Sequence, residues 1–490
     1  MARLTGSDDL YKLIHALSPE EKGYFKKYAK RHVTEGSRYL ELFDAINRQE
    51  QFDEKELKML FKTGYATMKV YLIELILEAL VISESNSPAS VDVLKGMVKV
   101  HILTKKGLLE RALKLIEQYI KIAEDYKLYG HVAMLLKSKS NLMRLSLPVQ
   151  QAVPVIKEYG VKINRALMLQ QNADDMLCRQ HLMAAITRVK YYGTLTANEQ
   201  KVMDIDYLLL PANAHSPLAE KLRLATLNHD YRWAGNGMAL YQNAKNVMAI
   251  EKARWKKLKG DTVTDDYIKA VNNTISAALS VTDFKYAEEL IEHLVEIRFD
   301  SRQMNQENNI RYTHLKQFLL WRTGKHSAGV TFSEQMINRH RIIELFPFQW
   351  SKVMMIVMMK ALFEFSEKKH KQAIQTLLFF QPALTDKYGI ETKKSILFLQ
   401  LLIQFEIGNY TYIAPMVTSI KNRIDDLSEQ EKLFLKNFAR HYNNPTTLYN
   451  NLFQQCDKVI IRPLLSIKNW AMHKQQKVTL SNIILQHPLE

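Results

Sequence analysis

Over the first 85 residues apolar positions recur three and four apart between blocks of charge, which is the period of a helix and not of a strand. The spacing predicts helices near 8–17, 19–32, 37–49, 54–62 and 66–83. Two of the starts are spelled out. Ser18-Pro19-Glu20-Glu21 sets a capping hydroxyl before a first-position proline and a third-position glutamate, and Asp53 caps Glu54-Lys55-Glu56. Within 19–32, Tyr24, Phe25, Tyr28, Ala29 and His32 share an arc of about 140° while Lys22, Lys26, Lys27, Lys30 and Arg31 take the opposite one. Rings segregated from cations predict a packing helix with a basic exterior, and polyanion contact by those five cations is the minor reading. Segment 52–83 has the lengths and turn glycine of a helix–turn–helix. Its second helix, with Val70, Tyr71, Leu72, Ile73, Leu75, Ile76, Leu77, Leu80, Val81 and Ile82, is apolar nearly all round. That predicts burial and leaves little beyond Lys69, Glu74 and Glu78 to face base edges.

The polar stretch SESNSPAS, 83–90, reads as a linker. It divides the chain into an N-terminal helical domain, 1–87, and a second region, 88–490. There a phrase recurs of an apolar helix, a short turn and a second amphipathic helix. The first instance runs from His101 to Gly130, with the turn at Gly107 and Ala112, Ile116 and Tyr119 on the inner stripe. Later turns at Thr282–Asp283, Gly324, Lys368 and Gly408 follow at intervals of 42, 44 and 40 residues, and the next falls on Asn443-Asn444-Pro445. Two-helix units at regular spacing predict an all-α chain, an α-solenoid of antiparallel helix hairpins with a period of 40–44 residues and one continuous apolar seam. In VMMIVMMKALFEF, residues 353–365, Met354, Met355, Met358, Leu362 and Phe365 fall on core spacing. A buried helix is favoured there over a methionine-rich groove.

Composition sharpens this reading. Glycine (16) and proline (12) stand in 490 residues at about half of ordinary usage, as a nearly all-helical chain requires. A chain of that length exceeds one compact core. Two cysteines, Cys178 and Cys456, are too few for a disulfide framework and fit a reducing compartment. Two acids precede any apolar run at the N-terminus, and no apolar stretch approaches the ~20 residues of a membrane span. A soluble, cytoplasmic protein without membrane insertion is expected.

The net charge of +17 is spread out: residues 1–50 carry nine Lys/Arg against eight Asp/Glu. Diffuse charge favours solubility over a polyanion footprint. ARWKKLK, 253–259, adds Arg254, Lys256 and Lys257 beside Trp255 as a second basic patch. Its lysines also suit a helix C-terminus stopped by Gly260.

No phosphate-cradling glycine loop, H-E-x-x-H or C-x-x-C is present, and Cys178 with His181 stands alone as a ligand-like pair. No catalytic, cofactor or metal residue is therefore assigned. Gly107 followed by Ala112, Asp283-Phe284-Lys285-Tyr286-Ala287 and Gly408-Asn409-Tyr410 resemble the turn region of tetratricopeptide repeats. The period is longer than that family's 34, and Gly329 and Ile413 stand where alanine is usual. The leader, LYKLIHALSPEEKGYFKKYA and then YLELFDAI, is similar to the start of helical-repeat proteins of Bacteroidetes bacteria that carry no assigned activity. The resemblance implies a TPR-like solenoid over roughly 90–460. A non-enzymatic scaffold or adaptor is expected, holding a peptide or helix of a partner protein, an acidic one by the chain's own charge. The alternative is a nucleic-acid- or ribosome-associated factor using diffuse Lys/Arg contacts.

Overall fold

The structure, a computed structural model, describes residues 9–32, 38–49, 52–62, 64–83, 88–192, 213–258, 260–340, 342, 346–378, 390–425, 427–457, 459–461 and 465–486. Its contacts fall into two units, Met1–Ser87 and Pro88–Glu490.

The first unit holds α1 (Asp9–Ala16), α2 (Pro19–His32), α3 (Arg38–Arg48), α4 (Glu54–Leu60) and α5 (Tyr65–Ser83). Both expected starts form. The Ser18 amide donates to Glu21 Oε2 at 2.7 Å and the Glu21 amide donates back to Ser18 Oγ at 3.1 Å, closing the capping box. Asp53 accepts from the amides of Lys55 and Glu56. Phe25 of α2 meets Phe43 of α3 with ring centroids 4.7 Å apart, amid Leu10, Ile14, Leu57, Leu72 and Ile76.

The burial expected all round α5 is corrected. Leu72, Ile73, Leu75 and Ile76 are buried, but Val70, Tyr71, Leu77, Val81 and Ile82 are exposed. The other helices of this unit have 8, 14, 11 and 7 residues, and they cover one side of a 19-residue helix and no more.

The second unit begins with α6 (Ala89–Lys105), α7 (Leu109–Asp125), α8 (Tyr129–Ser146) and α9 (Val149–Tyr192). It continues with α10 (Pro217–Trp233), α11 (Gly237–Lys257), α12 (Asp261–Ser280), α13 (Phe284–Glu296), α14 (Arg302–Arg322), α15 (His326–Arg339), α16 (Phe346–Ser366), α17 (His370–Leu378) and α18 (Ile390–Glu406). The last helices are α19 (Ile413–Arg423), α20 (Glu429–His441), α21 (Pro445–Gln455), α22 (Ile467–Gln476) and α23 (Leu480–Gln486). Neighbours in sequence pack against each other, as in an all-α helical-repeat solenoid. A two-residue antiparallel pair, β1 (Ile460–Ile461) with β2 (Leu465–Ser466), is the sheet among the described residues.

One turn is used repeatedly. At Gly107, Lys127, Gly235, Thr282, Gly324, Lys368 and Gly408 the backbone enters the left-handed region, with φ between 59° and 76°. At each, the residue's own amide donates three residues back and the next amide donates five back, for example Gly324 to Trp321 and Lys325 to Leu320. This double bond satisfies the last carbonyls of one helix, and the very next residue starts the following helix. Glycine takes this conformation without strain, whereas Thr282 and two lysines adopt it against a Cβ penalty.

Five residues past each turn the second helix faces inward. Ala112, Val132, Leu240, Ala287, Gly329, Ala373 and Ile413 occupy that place, and every one with a side chain is buried. A Cβ at Gly329 would overlap the Phe363 ring. Gly260, expected as the stop of α11, does something else. Extended Leu258 (ψ 154°) ends that helix, and Gly260 (φ 112°, ψ 155°) caps the start of α12. That backbone region is open essentially to glycine alone, so the residue serves the chain reversal and not the helix end.

The seam is not continuous. Among the described residues the apolar core of the second unit divides into blocks: two small ones over 93–166, one of Leu224, Val247 and Ala270, one over 240–319 and a large one over 310–484. Met354, Met358, Leu362 and Phe365 of α16 are buried in the largest, as their spacing predicts, with Met355 at its margin.

Candidate interaction surface

The cations read from the sequence separate by role. On α2, Lys27, Lys30 and Arg31 are exposed, while Lys22 and Lys26 are half-buried. Lys26 pairs with Asp44 at 2.7 Å and lies over the Phe43 ring. Burial, helped by the charge of Lys26, pulls the Lys22 ammonium below its ordinary range. Phe25 and Ala29 face the core as expected, with Tyr24 and Tyr28 packed against it; the His32 side chain lies outside the described residues.

In the second patch, Lys256 and Lys257 are exposed, Lys257 lying 3.5 Å from Asp125. Arg254 instead turns inward to Asp266 at 2.6 Å and Glu251 at 3.3 Å. Trp255 stacks on Tyr267 at 4.8 Å and 16°, so its indole face is already occupied. Sequence proximity grouped these residues, and the helix separates them.

Arg254 belongs to a ladder that the sequence reading missed. Lys221 of α10 lies 2.8 Å from Glu251 of α11 and 3.3 Å from Asp266 of α12. Asp265 of α12 holds Arg311 of α14 at 2.7 Å, and Glu307 of α14 holds Lys352 of α16 at 3.1 Å. The rungs joining successive first helices span 45, 46 and 45 residues. Alternating charge at the repeat period was the signal that could have shown it. Glu251 is only 1% exposed, and Lys221 and Arg254 compensate the hydration its carboxylate gives up on burial.

Further on, Glu364, also buried, is held by Lys360 and by the Thr376 hydroxyl at 2.8 Å, and Lys394 meets Glu431 at 3.0 Å. These charges compensate one another, while buried ring nitrogens of His229, His314 and His370 have no hydrogen bond.

Two concavities bear titratable groups. A cleft of about 560 Å³ between α9 and α10 is lined by Arg179, Glu220, Arg223, Thr226 and Asp230. Arg223 is bidentate to Glu220 at 2.7 and 2.8 Å, and burial raises the Asp230 carboxyl. Two cations and two acids leave that cleft without a charge preference. The second, about 50 Å³, is bounded by Ser366, His370, Glu406, His473 and Lys474. There Glu406 accepts from the Trp470 indole N–H at 2.9 Å and from Lys474 at 2.5 Å. Burial depresses both imidazoles, and the space suits a water or two.

Ser366 and His326 make the one nucleophile–base geometry in this region, at 2.5 Å. His326 Nε2 faces the Trp321 carbonyl at 3.3 Å, which can only accept, so Nε2 carries the proton and Nδ1 accepts a hydrogen bond from the Ser366 hydroxyl. Burial pulls this imidazole down to about 4, making it a weak base at neutral pH. The pair ties one turn to the end of α16. Cys178 and His181 both lie exposed on α9, and no group of three or more His, Cys, Asp or Glu converges to hold a metal among the described residues.

Besides the exposed cations, apolar side chains remain accessible. Large exposed hydrophobic side chains gather on α6–α9: Leu94, Val98 and Ile102 on α6, Met134 on α8, and Val161 and Met168 on α9. The cause on α9 is local. Its buried positions among the described residues, Ala152, Tyr159, Ala166, Ala173, Met176 and Met183, stand seven apart but for one step of three and make a narrow seam, which leaves most of its circumference outside. No described helix is long and apolar enough to cross a membrane. Comparison with known protein families, curated proteins and solved structures finds no match to this chain.

Proposed function

We propose that the chain is a non-enzymatic, cytoplasmic scaffold or adaptor that holds a helix or extended segment of a partner protein on a TPR-like array. One observation carries this reading: α6–α9 hold the largest group of apolar side chains left in solvent in the second unit, among the described residues. Surface patches of that kind mark interaction sites more often than chance exposure does. The pairing of interior charges across successive helices supports it, since those acids and bases are engaged in holding the array together.

Affinity capture from native cytosol, with and without nuclease, tests it. A protein partner should be retained by the native chain after nuclease, and lost when exposed apolar residues of these helices are made charged, by Val98→Asp on α6 or by Val161→Arg/Met168→Arg on α9, at unchanged thermal midpoint. Retention by both variants would overturn the reading. Loss on nuclease treatment would favour a nucleic-acid-associated factor, for which the exposed row Lys27, Lys30 and Arg31 is the supporting feature.

A further inference from the structure

The outer face of α6 differs from the other apolar exposures in being ordered. Leu94, Val98 and Ile102 are 45%, 60% and 52% exposed and stand at i, i+4 and i+8, so they form a single stripe about 12 Å long. The helix behind them is clamped. Val93 and Val100 are buried, and Gly96 lies so close to the Tyr119 ring of α7 that a Cβ there would overlap it. The stripe is thus displayed on a rigid element.

Its cations lie on one edge and at the C-terminal end. Lys95 and Lys99 run along one edge, Lys105 and Lys106 close the C-terminal end, and His101 stands on the other edge. The single acid of α6, Asp92, sits about 120° round from Val98.

We infer that this face docks an amphipathic helix of a partner protein whose apolar ridge is edged by carboxylates, a deepening that rests on the adaptor reading above. Aliphatic anchors at helical spacing accept the matching ridge of a second helix, and flanking ammonium groups select its acids and reject basic helices. Three features argue against other occupants. A polyphosphate would leave the central aliphatic row in contact with charge. A second copy of α6 would set lysine against lysine. A lipid surface would gain little from three aliphatic residues with no aromatic among them.

Two labelled synthetic helices with identical leucine positions, one edged with glutamate and one with lysine, test this against the full chain by fluorescence anisotropy. The glutamate helix should bind about tenfold or more tighter, and weaken as salt rises from roughly 0.05 to 0.5 M. Val98→Asp should abolish that preference, while Val161→Asp on α9 leaves it intact; both sites are exposed, and an unchanged circular dichroism melt verifies the fold. Equal binding of the two helices would overturn the inference. So would indifference to Val98→Asp, Val98-dependent sedimentation with anionic vesicles, or Val98-dependent dimerisation. A captured cytosolic partner that survives Val98→Asp but not the α9 changes would sink this inference alone; a capture insensitive to both would sink the adaptor reading with it.

Discussion

Gly329 of α15 faces the Phe363 ring of α16 with no room between them for a β-carbon. Alanine there would gain up to about 1 kcal/mol of helix propensity and meet an overpacking cost of about 1–3 kcal/mol, so the clash wins. Gly329→Ala should lower the denaturation midpoint. Gly160→Ala on α9, where nothing lies within 4 Å of the added carbon, should raise it by about 0.5–1 kcal/mol in the same chemical denaturation series.

Glu251 is the buried node of the charge ladder. Glu251→Ala would leave Lys221 and Arg254 sharing Asp266, and since both cations keep some contact with water the cost should be about 2–3 kcal/mol. Lys257→Ala removes an exposed contact with Asp125 and should cost less than about 1 kcal/mol. Equal losses in urea titrations would contradict the ladder.

Thr282 carries φ 62° in a turn where its counterparts at 107, 235, 324 and 408 are glycine. A β-branched residue in that region costs about 1–2 kcal/mol, against roughly 0.4–1 kcal/mol of extra unfolded-state freedom for glycine. Thr282→Gly should therefore stabilise the chain by about 0.5–1 kcal/mol, read as an upward shift of the thermal midpoint.

His326 is stacked on Trp321 at 4.3 Å, and burial holds its imidazole near 4, below the unfolded value of about 6.5. A depressed pKa means the neutral form is favoured by folding. Its contribution is complete above about pH 6.5 and drains away as pH falls towards 4, on the order of 3 kcal/mol in all. Stability measured from pH 7 to 4 should decline less steeply in His326→Gln than in the native chain.

Much of the fold was legible because its punctuation is local. Ser18 and Glu21 form their box, and the turns at Gly107, Thr282, Gly324, Lys368 and Gly408 lie where composition put them. Side-chain destinations were harder. The apolar girdle of α5 says nothing of how few helices surround it, and ARWKKLK cannot reveal that Arg254 turns towards an acid on the following helix. Such outcomes depend on residues some 45 positions away, beyond any local periodicity. The α6 stripe was visible as apolar residues on two faces of one helix, Val93 and Val100 behind, Leu94, Val98 and Ile102 in front, but only packing tells which face is taken.

The partition of the second unit's core has a mechanical meaning. Its blocks are linked through a few shared side chains, Ile120, Met248 and Phe318, each touching two of them. Cohesion parcelled in this way acts like a row of clasps and not like a single knot. Under tension or mild heat the thin clasps near α6–α9 give first, while the block over 310–484 stays shut, so a partner seated on the exposed apolar residues of those helices would hold closed the part of the array that opens most cheaply.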